Sequence, residues 1–301
     1  MRILIIGSKG FIGSHLHSFY TSNSNNFVMG CDVKSDPANS KYIQVEKFNS
    51  DYDKLLIANE FDVCVYAGGN GSVPYSLQYP EIDYHLNTFA INRILSSIHK
   101  HQPHCKFVHL SSAAVYGSPE KLPITEADEI KPLSPYGWHK FMSEIICKKY
   151  SSLYNIPTVS LRVFSVYGEG IQKQLFWDIY QKIIKTKNIT LFGTGNESRD
   201  FIYISDLIHA IDILIHQAKF QGEVYNVASG TESTIKEAST VFCTLFDTTT
   251  TINFGGETKP GDPINWRADI SKIKKLGFQA KVELKQGLEH YTSWLKENEL
   301  L

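Results

Sequence analysis

The sequence predicts an α/β fold: a doubly wound parallel sheet followed by a smaller C-terminal unit. Three observations carry this expectation. Short continuous apolar runs alternate with stretches of helical spacing, as they must where parallel neighbours need crossover connections. The first run ends in a glycine-rich turn at Gly7, Gly10 and Gly13. After Gly168 the rhythm of strands and helices changes.

Taken in order, "RILIIG" is an apolar run of the kind buried on both faces of a parallel sheet, and "GSKGFIGSHLHSFY" switches to helical spacing. A second strand is predicted over Phe27 to Asp32, a third in "YIQVEKF", a fourth in "FDVCVYAGG", a fifth in "CKFVHLSSA" and a sixth in "TVSLRVFSVYG". The helical patterns between them are clearest in "HLNTFAINRILSSIHK" and "YGWHKFMSEIICKKYSSLY". Crossovers of this kind are right-handed. Beyond Gly168, "QLFWDIYQKIIK" reads as a helix and "NITLFG" as a strand. "RDFIYISDLIHAIDILIHQA" reads as a strand, an N-cap at Ser205 and a helix, and "EVYNVASG" as another buried strand. A helix from Ile235 to Leu245, the loop "GGETKPGDP" and a helix near "LKQGLEHYTSWLKEN" complete the chain. The expected division is 1–168, with 200–228 returning to it, against 169–199 together with 229–301.

The 301 residues suffice for a full core. A formal net charge of −1, with 30 Lys and Arg spread along the chain, argues against a nucleic-acid surface or a polybasic membrane anchor. Apolar runs such as Ile3 to Ile6 are far shorter than the roughly 20 residues of a membrane span. The early glycine loop leaves no room for the apolar core of a signal peptide, so a cytoplasmic protein is expected. Five scattered cysteines without a CxxC pair fit buried thiols in a reducing compartment, and no His cluster has metal spacing, so no metal is expected.

In the glycine loop, Gly7 permits the tight turn, Gly10 lets the backbone approach a pyrophosphate, and Gly13 lets the helix pack on the sheet. The helix N-terminus offers free amides and a positive dipole end to phosphate. Glycines also serve ordinary turns, but here a strand precedes and a helix follows. Asp32 lies 19 residues past Gly13, where a carboxylate accepts both hydroxyls of an adenosine ribose. That charge repels a 2'-phosphate, which favours NAD over NADP; Lys34 can soften the preference.

Tyr136 and Lys140, in "LSPYGWHK", are four apart and would share one helix face. A phenol near pKa 10 is a poor base at neutral pH. An adjacent ammonium, and the positive ring of an oxidised nicotinamide, favour the phenolate. Upstream, Ser111 and Ser112 close the fifth strand at the carboxyl edge of the sheet, where open parallel sheets bind ligands. Tyr136 would then take a hydroxyl proton while the adjacent carbon yields hydride to NAD, with Ser112 hydrogen-bonded to the same oxygen. The bland alternative is chance spacing on an amphipathic helix and turn chemistry at a strand end.

With these residues in place, the chain resembles the extended short-chain dehydrogenase/reductase family of NAD-dependent nucleotide-sugar epimerases and dehydratases, UDP-glucose 4-epimerase-like. "GSKGFIG", "SSAAVYG", "SPYGWHK", "LRVFSVYG", "RDFIYISDL", "YNVASG" and "KPGDP" occur in that family's order over almost the whole sequence. The resemblance implies a Rossmann domain with a smaller C-terminal domain that binds a nucleotide sugar. It implies Ser112, Tyr136 and Lys140 as the catalytic trio, with Lys140 also on the nicotinamide ribose. Around the cofactor it implies Phe11 and Ile12 with the three glycines, then Ala67, Gly68, Gly69, Asn87 and Phe164. On the substrate side it implies Ser112, Ser165, Lys173, Gln174, Phe192, Lys259, where many relatives carry an arginine, and Arg199 gripping the diphosphate. For Arg199 the plain alternative is a salt bridge to Asp200. It also implies a homodimer through the helices containing "HLNTFAINRIL" and "YGWHKFMSEII", whose apolar faces can equally be core, and a place in cell-surface polysaccharide biosynthesis.

Departures narrow the reaction. Where the family's 4,6-dehydratases read Thr-Asp-Glu this chain has Ser112, Ala113 and Ala114, so elimination lacks its acid and base. Ser165 replaces a usual Asn, Glu169 replaces a Pro, and Phe48 or Asn49 stands where an Asp commonly contacts adenine. The expected function is a 4-epimerase of a UDP- or dTDP-hexose acting through a 4-keto sugar. The alternative is an NADH- or NADPH-dependent reductase of a 4-keto-6-deoxy sugar nucleotide. A dinucleotide-sensing regulator is a third reading, opposed by the intact trio.

Overall fold

The N-terminal apolar run forms β1 (Arg2–Ile6), and its four isoleucine and leucine residues are fully or almost fully enclosed. In the computed structural model, which describes residues 1–48, 50–246, 249–257 and 260–298, six further strands join it in one sheet. After α1 (Phe11–Thr21) come β2 (Phe27–Asp32), β3 (Tyr42–Gln44), α2 (Tyr52–Ala58) and β4 (Val63–Tyr66). The next crossover is long: α3 (Val73–Gln78), α4 (Pro80–Tyr84), a π-helical turn at His85–Phe89 and α5 (Ala90–His101) lead to β5 (Lys106–Ser112). Then α6 (Pro135–Tyr154) leads to β6 (Thr158–Val163) and the short β7 (Ser165–Tyr167). The remainder is α7 (Gln174–Ile183), β8 (Asn188–Leu191), β9 (Ser198–Tyr203), α8 (Ile204–Gln217), β10 (Gln221–Val227), β11 (Glu232–Thr234), α9 (Ile235–Phe246), β12 (Thr251–Phe254), α10 (Ser271–Lys274) and α11 (Leu284–Glu297).

The seven-stranded sheet runs β10-β6-β5-β4-β1-β2-β3 with every pairing parallel. Strand order reverses beside β1, so a crevice opens at the carboxyl ends of β1 and β4. Successive side chains alternate faces. Ile3 and Ile5 therefore pack with Leu16 of α1 and Leu207 and Ile211 of α8, whereas Leu4 and Ile6 pack with Leu55 of α2, Ile94 of α5 and Cys147 of α6. The five cysteines are all buried.

Three expectations need correction. The sixth predicted strand is two: the chain leaves the large sheet at Phe164, and β7 instead pairs with β9, which also pairs with β11. An unbroken apolar pattern conceals this, because both halves are buried in different sheets. The third strand is only Tyr42–Gln44. Ser205 does not cap α8, which begins at Ile204 directly from β9 and has no side-chain cap. Asp206 in its first turn instead accepts from the backbone amides of Lys281 and Val282 at 3.0 and 2.9 Å, tying down the chain before α11.

Candidate active site

The glycine loop is shaped by close backbone approach. Gly7 has φ +83°, and a Cβ there would lie 2.5 Å from the Gly68 nitrogen. At Gly13 it would lie 2.1 Å from the Gly7 carbonyl oxygen. At Gly10 it would meet only the Gly7 oxygen, at 3.2 Å, so that side of the loop is open. No side chain caps α1 at Gly10, and its first amides, at Phe11 and Ile12, face the crevice mouth with the positive helix end. The Ser8 hydroxyl is buried without a partner in the protein. Asp32 closes the loop from β2, accepting from the Lys9 amide at 2.9 Å and the Val33 amide at 2.7 Å. Lys34 reaches Asp32 through its backbone amide at 3.3 Å, while the Lys9 ammonium pairs with Asp36. This cradle fits a dinucleotide: an open glycine edge, an uncapped helix end and a carboxylate at the neighbouring strand.

The second wall is the turn after β4. Gly69 has φ +100°, and a Cβ there would lie 2.6 Å from Asn87 Oδ1. That oxygen is buried without a partner, while Asn87 Nδ2 donates to Asp83 at 2.9 Å. Ala67 and Gly68 back onto Gly7. Phe48 is exposed, its ring edge-on to His85 at 6.3 Å; Asn49, its companion in the adenine expectation, lies outside the described residues.

Ser112, Tyr136 and Lys140 come together where β5 meets α6. Ser134 caps α6 by accepting from the Gly137 amide at 3.2 Å, and Pro135 presets the first turn, so Tyr136 and Lys140 stand one turn apart. Ser76 of α3 accepts from the Tyr136 amide at 3.1 Å. The Ser112 hydroxyl lies near enough to the Tyr136 phenol to lower its pKa, and accepts from the Ala114 amide at 3.2 Å. Lys140 is buried, donates to the Leu110 carbonyl at 2.9 Å, and holds its ammonium 5.8 Å from the Tyr136 ring centre. Ser111 points the other way, to Glu144 at 2.5 Å, which pairs with buried Arg162 at 2.7 Å. The two serines of the strand end thus have different duties, as the two-residue period of a strand dictates.

The electrostatics differ from expectation. Burial pushes the Tyr136 phenol up to about 12, Ser112 pulls it back somewhat, and Asp83 adds to the rise. Lys140 is brought down to about 8 by burial, against which Asp83 acts. The protein's own groups therefore do not make Tyr136 acidic. Lys140 gives a hydrogen bond to the Leu110 carbonyl, and desolvation is what sets the phenol's pKa.

Around this centre, buried Phe164 meets Trp266 edge-on at 5.8 Å, and Ser165 opens β7 opposite Phe201. The loop 168–174 folds over the start of α1: the Glu169 carbonyl lies 2.8 Å from His15 Nε2, and its carboxylate accepts from Tyr203. Lys173 Nζ lies 3.1 Å from where a Cβ of Gly71 would be, and burial lowers its pKa. Gln174 begins α7 with φ +69° and is exposed. Arg199, on β9, donates to the Ser198 and Ile264 carbonyls at 2.8 and 3.1 Å, stands 4.0 Å from Asp262, and lies 5.6 Å over Trp266. It is not paired with Asp200, which is fully buried and accepts from Ser229, Gly230 and Ala268. Phe192 is 51% exposed after β8, with the Lys182 ammonium 6.0 Å from its ring. Lys259 lies outside the described residues. Sequence reasoning passed over Asp83 and His139, whose 2.6 Å contact adjoins the trio; nothing in the spacing of 56 residues signals it.

The family model described as "NAD dependent epimerase/dehydratase family" matches residues 3–228. An uncharacterised UDP-glucose epimerase, YtcB, of Bacillus subtilis (strain 168) is 30% identical over 320 residues, covering 98% of this chain and 98% of that protein. The crystal structure of UDP-glucuronic acid 4-epimerase from Bacillus cereus, in complex with UDP-glucuronic acid and NAD, is 30% identical. It covers 99% of this chain and 100% of that one with a TM-score of 0.90. The UDP-N-acetylglucosamine 4-epimerase from Methanobrevibacter ruminantium M1 has the same fold at 24% identity, TM-score 0.89, covering 99% and 98% of the two chains. Among the described residues no helix is long and apolar enough to cross a membrane, and no cluster of His, Cys, Asp and Glu suits a metal.

Proposed function

Because the chain belongs to the NAD dependent epimerase/dehydratase family, we propose that it inverts C4 of a nucleotide-linked hexose, with a UDP- or dTDP-sugar as substrate. The observation that carries this reading is the meeting of Ser112, Tyr136 and Lys140 beside the glycine cradle, with Ala113 and Ala114 where elimination would need acids. NAD, when bound, supplies the hydride acceptor and, in its oxidised form, a positive ring. The loop at Gly7, Gly10 and Gly13 with Asp32, and the wall of Ala67, Gly68, Gly69 and Asn87, would hold it.

Tyr136 takes the proton of the sugar O4 hydroxyl and later returns it to the opposite configuration. Its high pKa in the protein alone makes it a proton donor at neutral pH; the added positive charge of the cofactor lowers it toward the working range. Ser112 hydrogen-bonds the same O4 and steadies the 4-keto oxygen. Lys140, one turn on, holds its ammonium against the Leu110 carbonyl, and its remaining N–H donors would serve a ribose hydroxyl of the cofactor. Arg199 offers a planar donor face for the diphosphate, and Lys173 a point charge at the loop by Gly71. The B. cereus enzyme's complex with a UDP-sugar supports a UDP-linked substrate.

Incubation with UDP- and dTDP-hexoses, with product identity and the reduced-nicotinamide band followed together, tests the reading. An epimerase purifies with NAD and gives the C4 epimer without net change in that band. Stoichiometric loss of the band with a 4-keto-6-deoxy sugar nucleotide instead assigns the chain to the reductases that share this trio. We also propose a homodimer. Its support is the exposed row Trp138, Met142 and Ile145 along α6, beside Tyr84 and Phe89, which suits a second copy meeting the same helices.

A further inference from the structure

Asp83 is a fully enclosed carboxylate beside the trio that the reaction above does not use. Three donors from three segments converge on it. Asn70, from the loop after β4, donates to Oδ1 at 2.6 Å; Asn87, from the π-helical turn, donates to the same oxygen at 2.9 Å; His139 Nδ1 lies 2.6 Å from Oδ2. His139 immediately precedes Lys140 in α6, and its side chain keeps only 12% exposure. Thr88 and Ser143 hold the His139 carbonyl at 2.9 and 3.1 Å, and Tyr84 meets its ring edge-on at 5.6 Å.

A buried carboxylate is costly unless it is paired and hydrogen-bonded. Here the pairing ties together the segments that build the cofactor wall and the catalytic helix. Its effect on Asn87 is directional. With Nδ2 held by Asp83, the amide oxygen must face Gly69, where it stays buried and without a partner in the protein. An acceptor left in that position is available to a ligand hydroxyl or amide donor.

We propose that Asp83 and His139 form a buried hydrogen-bonded pair that positions the catalytic edge, turning the Asn87 acceptor toward the dinucleotide and bracing the helix turn that carries Lys140. The proposal rests on the family's use of Tyr136 and Lys140 but not on the sugar. Asp83 faces both: its charge favours the ammonium of Lys140 and disfavours the phenolate of Tyr136. Lys140 also feels Lys173 from the loop before α7, and Glu144 and Cys147 from its own helix. At Tyr136 the other polar influence is the Ser112 hydroxyl. Removing the carboxylate moves both ionisations to lower pH.

The test uses the full chain and NAD alone, so it stands whether or not any sugar nucleotide turns over. Tyrosinate absorbance is titrated in the NAD-loaded protein, with the Tyr136→Phe protein subtracted to isolate Tyr136. In Asp83→Asn, which removes the charge but keeps an acceptor for Asn87, the Tyr136 midpoint falls by about one pH unit; in Asp83→Ala, which releases Asn87, NAD binds about tenfold more weakly. His139→Asn keeps a donor for Asp83 and retains NAD affinity within about twofold, whereas His139→Ala loses about tenfold. Unchanged NAD affinity in Asp83→Ala, or an unchanged midpoint in Asp83→Asn, overturns the proposal. Should those variants fail to fold, equal NAD affinity in His139→Asn and His139→Ala overturns it instead.

Discussion

At the scale of single residues, the site is governed by desolvation. Tyr136 and Lys140 are four apart and the structure brings them within 5.8 Å, yet burial pushes the phenol up to about 12 and the ammonium down to about 8. Their spacing was legible from the sequence, since a helical turn fixes it. The sign of the electrostatics was not, because it depends on how deeply the assembled fold buries both groups, which no local pattern shows. Tyr136→Phe is expected to lower turnover by about a hundredfold or more while NAD still binds, measured by steady-state assay and calorimetry. The ammonium of Lys140 exists below its pKa of about 8 and is lost as pH rises through it. Turnover should therefore decline on the alkaline side, and a profile flat through that region would remove Lys140's charge from the account.

At the scale of elements, the strands and helices of the first half announce themselves through apolar runs and glycine punctuation. Gly13 is legible for a physical reason: a Cβ would come within 2.1 Å of the Gly7 oxygen, which is backbone and cannot move aside. Gly13→Ala should cost about 3 kcal/mol or more and weaken NAD binding, read by thermal denaturation with and without NAD. The short strands β7, β11 and β12 were not legible, since three or four residues gain their strand character only from a partner. Helix α6 serves two faces. Lys140, Ser143 and Cys147 are buried, while Trp138, Met142 and Ile145 are 47%, 39% and 53% exposed. If the chain forms the proposed homodimer, Ile145→Arg should leave it monomeric in sedimentation velocity without unfolding it; a wild-type protein that is already monomeric would contradict the proposal.

At the scale of the whole molecule, the strand order places the glycine loop, the turn after β4 and the end of β5 along one carboxyl edge, and the later elements close over it. Closure is long-range: Asn226 on β10 reaches the Ile124 carbonyl at 2.9 Å, and the Trp266 indole donates to the Gly117 carbonyl at 2.9 Å. Trp266, fixed by that hydrogen bond, lies beneath the Arg199 guanidinium at 5.6 Å. The family motifs made Arg199 visible in the sequence, but its freedom from Asp200 rests on Ser229, Gly230 and Ala268 occupying that carboxylate. Arg199→Ala should raise KM for the nucleotide sugar about tenfold or more and leave NAD affinity unchanged, as calorimetry with NAD alone would verify.

The most direct test of reversible C4 oxidation follows the hydrogen at that carbon. A UDP-hexose carrying deuterium at C4 is turned over in ordinary water and the product is analysed by NMR. If Tyr136 handles only the O4 proton while the C4 hydrogen leaves and returns within the site, the epimer retains its deuterium. Loss of the label to solvent during epimerisation would contradict the account.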